Sequence, residues 1–462
     1  AQNVQSVAAN FFQPETEEEI ITVVKNYPKI RMVGTGHSWS GICATNEALL
    51  NLDNYNKITK IDKALKLVTV QAGIKLWHLN NLLDKEGLAL LNLGSIDQQS
   101  IAGAISTGTH GSGIQFQILG SQMVEFSLIK ADGTKHIMNK EKDTDLFNAC
   151  VVNLGCLGVI SEITLQVTDA FTLHDYTTTL PFDEVIDKLD DYLKDNDHFK
   201  LWWLPPCKDI IVFRYRRTHE KPNDSKLRVF LKDHLLSVII YRFLVFVAKL
   251  FPFIAKPLNT MLTWNMKGPL DRIEKSYKVY VVPEPPLHRE TEWTFEISKA
   301  KEILRAYKNF ITENKYNLNF IQEIRFTKGD DFWLSGCYKR DAIWLGLYNY
   351  AHEKWDKVLP EYEAFAKKYN GRPHWGKEFT MDKNYLHQQY EKMDDFKKLK
   401  KLGVKNLVVL SGDNQGTVDL VARELGLTEA HGHMLPEDKA TYIKELQEKG
   451  QIVAFVGDGV ND

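Results

Sequence analysis

Two charged side chains set two residues apart carry the clearest chemistry in this chain. Glu323 and Arg325 lie in the strand-like run NFIQEIRF, where a period of two puts both on one face while Gln322 and Ile324 take the other. A carboxylate beside a guanidinium can hold the vicinal hydroxyls of a sugar in a fixed orientation. The same spacing also describes an ordinary surface ion pair of little energetic weight, and these residues alone leave both readings open. Upstream, RMVGTGHSWSG (Arg31 to Gly41) follows a strand and supplies Gly34-x-Gly36 ahead of His37. Two close glycines let backbone N–H groups converge on a pyrophosphate, with Ser38 and Ser40 as further donors, although a simple turn explains them as well. The dinucleotide fingerprint G-x-G-x-x-G is not met, because the third glycine is misplaced and no long helix follows at once. LGSIDQQSIAGAISTGTHGSG (Leu93 to Gly113) is a longer element, with Gly94, Gly103, Gly108, Gly111 and Gly113 spread among Ser and Thr. So little side-chain volume among so many donors suits a backbone wrapped around an extended anionic ligand. Ile96, Ile101, Ala104 and Ile105 add apolar anchors that a flexible linker lacks.

The elements that must position these groups are legible around them. FFQPETEEEIITVVKNYPKIRMVG reads as a helix with acidic residues in its first turn, then a short strand Ile30–Val33. KLVTVQAGIKLWHLNNLLDKEG reads as strand, turn and amphipathic helix closed by Gly87. VEFSLIKADGTKHIMNK alternates around the turn signal Asp132-Gly133, and LGVISEITLQVT (Leu157 to Thr168) is another alternating strand. The region 169–398 mixes strands such as KDIIVFRYRR and AIWLGLYNY with long helices such as SKAKEILRAYKNFITENK. From 399 onward the pattern is helix, strand (LVVLS), helix, helix, strand (IVAFVGDG), a compact βαβ style unlike what precedes it.

A chain of 462 residues calls for two or more domains. Hydrophobic residues at 44% and charged residues at 26% exclude a disordered or fibrous chain. Lys+Arg 58 against Asp+Glu 60, a formal charge of -2, gives no electrostatic reason to expect nucleic acid as a partner. Five cysteines without a C-x-x-C pair (Cys43, Cys150, Cys156, Cys207, Cys337) favour free thiols in a reducing compartment over disulfides or a zinc site, and no metal is expected. No signal peptide is visible at AQNVQSVAANFF. DHLLSVIIYRFLVFVAKLFPFIAKPL (Asp233 to Leu258) is strongly apolar, but Arg242, Lys249 and Lys256 recur every seven residues and Pro252 interrupts it. Each cation at mid-bilayer would cost about 2.5–3.5 kcal/mol, so a membrane span is disfavoured. A helix lying in the interface and a helix packed on the protein remain equal alternatives.

GTGHS, SIDQQSIAGAISTGTHGSG and LGCLGVISEITLQ, in that order, resemble the FAD-binding domain of the vanillyl-alcohol-oxidase type, also named after p-cresol methylhydroxylase. FIQEIRFTKGDDFWLSGCYKRD and GRPHWGKEF resemble the sugar-lactone and alditol oxidases, and the stretch 235–258 resembles the hydrophobic insert of the gulonolactone oxidases. The resemblance spans about residues 1–398 and implies an α+β architecture. A two-subdomain FAD-binding domain is expected over 1–168, and an α+β cap forming the substrate domain over 169–398. FAD is the implied cofactor, with His37 bonded covalently to the flavin 8α-methyl carbon. Gly34, Thr35, Gly36 and Ser38 would cradle the pyrophosphate, with Ser95, Ser100, Gly103, Thr107, Gly108, Thr109 and His110 along its other side. Ile160 would offer backbone contacts to the isoalloxazine or adenine end, and His374 would touch the flavin. Glu323, Arg325 and Lys377 form the implied catalytic set, with Lys377 directed at the substrate hydroxyl.

The implied reaction is oxidation of L-gulono-, L-galactono- or D-arabinono-1,4-lactone, by hydride transfer from a substrate C–H to flavin N5. Dioxygen is then reduced to hydrogen peroxide. Oxidation of an alditol such as xylitol or sorbitol is the alternative. The implied partners are a small lactone or polyol, dioxygen and a peripheral membrane contact through 235–258, in a cytoplasmic or membrane-peripheral setting.

Residues 399–462 follow a different pattern and resemble the phosphorylation domain of heavy-metal P-type ATPases, an α/β haloacid-dehalogenase-like fold. The matching residues are Ser411-Gly412-Asp413-Asn414, Pro436-Glu437-Asp438-Lys439 and Gly457-Asp458-Gly459-Val460-Asn461-Asp462. That resemblance implies Lys439 neutralising phosphoryl charge and Asp458 and Asp462 holding Mg²⁺. The Asp-Lys-Thr-Gly-Thr nucleophile motif occurs nowhere in the 462 residues. Phosphoryl transfer is therefore not expected, and the segment reads as a fused fragment joined near Lys398 to Leu402.

Overall fold

The computed structural model describes residues 4–224, 239–282, 286, 288–350, 354–401, 408–411, 413–425 and 429–448. In the N-terminal half, the strands Asn10–Phe12, Ala48–Leu50 and Ile30–Met32 pair in parallel, with Ala48–Leu50 in the middle. The helix Glu17–Asn26 packs Ile20 and Val24 inward, and Thr16 caps it by accepting the Glu19 N–H. A second, antiparallel sheet runs in the order Ile58–Asp62, Leu67–Gln71, Val159–Gln166, Met123–Ile129, Lys135–Asn139. Its last two strands are the hairpin expected at Asp132-Gly133, where Gly133 takes a φ of 77°. The helix Leu76–Lys85 turns Leu76, Leu79 and Leu83 into the shared core, and Gly87 ends it at positive φ.

The cap is built on one eight-stranded antiparallel sheet. Its order is Leu270–Lys275, Thr172–Pro181, Asp209–Thr218, His198–Trp203, Gln322–Thr327, Ala342–Asn349, Arg289–Glu296, Arg372–Pro373. One face is apolar: Leu201, Trp203, Trp293, Phe295, Ile324, Phe326, Ile343 and Leu345 pack with Ile303, Tyr307 and Tyr362 of the helices Ala300–Glu313 and Trp355–Lys368. Because side chains alternate along a strand, the residues between them emerge on the opposite face. That face carries the charges.

The described residues of the apolar segment form neither a span nor one continuous helix. The helix Tyr241–Leu250 ends before Pro252, a short 3₁₀ turn follows, and a second helix runs Ala255–Asn265. Proline lacks the N–H that would continue the first helix. Val245, Ala248, Ala255 and Leu258 face inward, while Phe243, Phe246, Phe253 and Trp264 are exposed. No helix among the described residues is long and apolar enough to cross a membrane; residues 235–238 lie outside them.

In the C-terminal segment, Val408–Leu410 pairs in parallel with Glu429–His431, flanked by the helices Gln415–Leu425 and Pro436–Glu448. The strand Glu429–His431 stands where the sequence pattern leads directly from helix to helix. Gly412 and the run Gly457–Asp462, with Asp458 and Asp462, lie outside the described residues.

Candidate active site

The two glycine elements and the charged sheet face border one continuous cavity of about 940 Å³, a size at the upper end of ligand pockets. Gly34, Thr35, Gly36, His37 and Ser38 line it from the first loop; Ser95, Ser100, Gly103, Thr107, Thr109 and His110 line it from the second, and Ile160 from its strand. A Cβ on Gly34 would sit 2.6 Å from Ser100 Oγ, which would have to turn away, so glycine eases the close approach of the two loops. Gly36, at φ +75°, has nothing within 4 Å of its Cβ position. Backbone N–H groups and hydroxyls in a cradle without side-chain bulk fit the phosphates of a dinucleotide. His37 lies in the electrostatic reach of Asp97, whose carboxyl burial pushes up.

Gly108 departs from the expectation. It is not among the cavity-lining residues; at φ +77° it donates its N–H to the Ile105 carbonyl and closes the helix Ile101–Ser106. The glycine is there for the helix end, where the left-handed conformation is required.

The first loop is laced to the cap. Trp39 N–H donates to the Gly376 carbonyl at 2.8 Å, and Ser40 Oγ to the Trp375 carbonyl at 2.7 Å. These bonds bring Lys377 over the Trp39 ring, 4.2 Å from its centroid, with Nζ 2.6 Å from Glu290 Oε1. Burial works against the Glu290 charge, but Lys377 and His288 outweigh it and hold the carboxyl below its ordinary range.

Glu323 and Arg325 form the pair their spacing suggests, with Glu323 buried and the Arg325 side chain 12% exposed. Glu323 Oε1 accepts from Trp202 Nε1 at 2.9 Å and lies 3.5 Å from Lys200 Nζ, while Tyr348 Oη donates to its other oxygen at 3.4 Å. Burial pushes this carboxyl up, yet Arg325 and Lys200 pull it further the other way, down to about 2. Arg325 Nη2 donates to Ser95 Oγ at 3.1 Å and Nη1 to the His110 carbonyl at 3.2 Å, so the guanidinium ties the second glycine loop to the sheet. Desolvation drives Lys200 below its ordinary pKa despite Glu323.

Glu292 faces His110 Nε2 at 3.3 Å, and the His110 ring stacks on Trp344 with centroids 3.7 Å apart. His374 lines the same cavity, and burial brings its pKa down to about 3. His110, Glu292 and His374 hold ligand-type atoms within 4.8 Å of one another. His374 Nδ1 accepts the Gly376 N–H at 3.0 Å, which leaves the ring proton on Nε2. A protonated Nε2 has no lone pair to give a metal.

A family model described as FAD binding domain matches residues 8–139, and one described as D-arabinono-1,4-lactone oxidase matches residues 163–403. L-gulonolactone oxidase of Bos taurus is 32% identical over 395 residues, covering 83% of this chain and 88% of its own. The chain belongs to the D-arabinono-1,4-lactone oxidase family. It is an FAD-dependent oxidoreductase acting on CH–OH groups. L-gulono-1,4-lactone dehydrogenase of Mycobacterium tuberculosis is 30% identical over 393 residues, 83% of this chain and 90% of that protein. Cholesterol oxidase from B. sterolicum shares the fold, with a TM-score of 0.71 at 16% identity over 85% of this chain and 90% of that one. A model described as haloacid dehalogenase-like hydrolase matches residues 347–462, overlapping the lactone-oxidase match.

For this family member, sequence reading overlooked Glu290, Glu292, Lys200, Trp202 and Tyr348, all of which the structure places at the site. The signal was present. The runs EWTFE and HFKL alternate polar and apolar residues as EIRF does, and three strands with one polar period point to one buried polar face.

Proposed function

We propose that this oxidoreductase oxidises an aldono-1,4-lactone of the L-gulono, L-galactono or D-arabinono type, reducing dioxygen to hydrogen peroxide, with FAD tethered through His37. The observation that carries this reading is the buried face where Glu323, Arg325, Lys377 and Glu290 meet the cavity between the glycine loops. FAD, when bound, supplies the hydride acceptor. Gly34, Gly36, Ser38 and Ser100 would hold its phosphates. Arg325 and Lys377 orient the lactone hydroxyls, and Glu323, saturated by Trp202, Lys200 and Arg325, fixes the guanidinium. Lys377 Nζ donates to the reacting oxygen and takes the hydroxyl proton as it hands one of its own to Glu290 Oε1, 2.6 Å away.

A peroxide-coupled assay over aldonolactones and alditols tests the assignment. Turnover concentrated on the lactones is expected; a flat response from yellow, FAD-loaded protein overturns it. Acid precipitation should leave the parent pellet yellow and that of His37→Ala colourless.

The reading extends to three units, 1–168, 169–398 and 399–462, the last without phosphoryl-transfer activity because the chain carries no aspartate nucleophile motif. It extends also to peripheral membrane contact. Phe243 is 63% exposed, Phe253 78% and Trp264 69%, with exposed Lys249 and Lys256 beside them. Flotation with anionic vesicles, lost in Phe243→Ser/Phe253→Ser, is the measurement; unchanged flotation of that variant removes the contact.

A further inference from the structure

One arm of the cavity lining is aromatic and apolar. It comprises Trp202 and Phe213 from the strands His198–Trp203 and Asp209–Thr218, Tyr241 and Leu262 from the helices Tyr241–Leu250 and Ala255–Asn265, and Met266 and Phe320. Trp202 packs edge-on against Phe213 with centroids 4.7 Å apart, and the Tyr241 ring lies 6.0 Å from Phe320. Two features indicate what fits. Trp202 Nε1 bonds to Glu323 at 2.9 Å, so the arm abuts the redox site. The Tyr241 hydroxyl is buried without a hydrogen-bond partner among the described residues, and an unpaired buried hydroxyl is costly unless a ligand completes it.

We propose that this arm binds a quinone as a second electron acceptor. The flat ring lies among the aromatic side chains, a ring carbonyl accepts the Tyr241 hydroxyl proton in a hydrogen bond, and the apolar substituent leaves past Leu262 and Met266 towards the apolar outer faces of the two helices. Oxidising one CH–OH to C=O releases two electrons and two protons. A quinone takes up both to become the hydroquinone, so one lactone reduces one quinone and no oxygen is consumed. The redox half of this inference rests on the lactone-oxidase reading; the binding half does not.

The test uses FAD-loaded protein and a decyl-substituted benzoquinone, with decanol as the chain-only control. Saturable quenching of tryptophan fluorescence by the quinone, not competed by decanol, is expected, together with anaerobic, lactone-driven quinone reduction. Leu262→Trp should weaken quinone binding at least tenfold and Tyr241→Phe several-fold, while both keep peroxide formation within twofold of the parent. Equal competition by decanol would mark a lipid-chain site and overturn the proposal, as would unchanged quinone affinity in both variants. Protein that binds the quinone but oxidises no lactone refutes the function and leaves the site standing. Protein that oxidises lactone but binds quinone without saturation does the reverse.

Discussion

The glycine loops and the eight-stranded sheet border the same cavity by opposite means. The loops contribute backbone and empty space: Gly34 and Ser100 approach so closely that a single Cβ would collide. The sheet contributes charge: Glu290, Glu292 and Glu323 face Lys377, His110, Lys200 and Arg325. A surface made of N–H groups tolerates few added atoms where the loops meet, as at Gly34, but keeps its hydrogen bonds through many side-chain changes. One made of buried ion pairs tolerates changes of shape but not the loss of one partner, because the other is left uncompensated. The two regions should therefore fail differently, one through cofactor content and the other through chemistry.

The sharpest break is Arg325→Ala. It strips Glu323 of its main counter-charge and unties Ser95 and the His110 carbonyl. Loss of a preorganised charge at a reacting centre costs about 10²–10³ in rate. Anaerobic stopped-flow should show flavin reduction slowed by at least that factor while FAD content persists; an unchanged rate removes Arg325 from the site. Lys377→Met should give a loss of about 10² in the same measurement. Glu290→Gln keeps the shape and removes the charge, so a smaller loss with a displaced pH profile is expected. Gly34→Val reverses the pattern, with FAD content by absorbance falling most and the residual holoenzyme reducing at near-parent rate. Were Gly34→Val to retain full FAD, the backbone cradle would not be where the phosphates lie.

The same contrast governs what could be read from sequence. Gly34, Gly36 and Gly103 draw notice as glycines among donors, although a turn accounts for such glycines as well, and the shared face of Glu323 and Arg325 shows in their spacing of two, although a surface pair has the same spacing. Glu290 and Glu292 are also set two apart but stand far from any named motif, and only the neighbouring strands Ala342–Asn349 and Arg372–Pro373 show which face they share. Lys200 could not be recognised as buried from HFKLWW alone, since lysine is almost never buried without a partner and Glu323 lies 123 residues away. Gly108 misled for the opposite reason: within a glycine-rich stretch, a helix terminator and a ligand contact look alike until the φ angle and the neighbour Val152 are known.

The seam between loops and sheet offers the finest test. His198 sits on a sheet strand; its Nδ1 donates to the Ser112 carbonyl at 2.7 Å, so its Nε2 accepts from the Tyr280 hydroxyl at 2.8 Å. This pattern needs a neutral ring, and burial brings its pKa down to about 4 from 6.5. A depressed folded-state pKa means that the unfolded chain binds the proton first. Stability from this group is therefore complete above pH 6.5 and falls as the pH drops towards 4, by about 3 kcal/mol over the window. His198→Asn, which keeps a donor for Ser112 but cannot titrate, should be less stable than the parent at pH 7.5 and lose less on acidification to pH 4.5. Urea midpoints at the two pH values measure both. Parallel losses in parent and variant would mean that the acid sensitivity lies in the charged face around Glu323, and that the seam carries none of it.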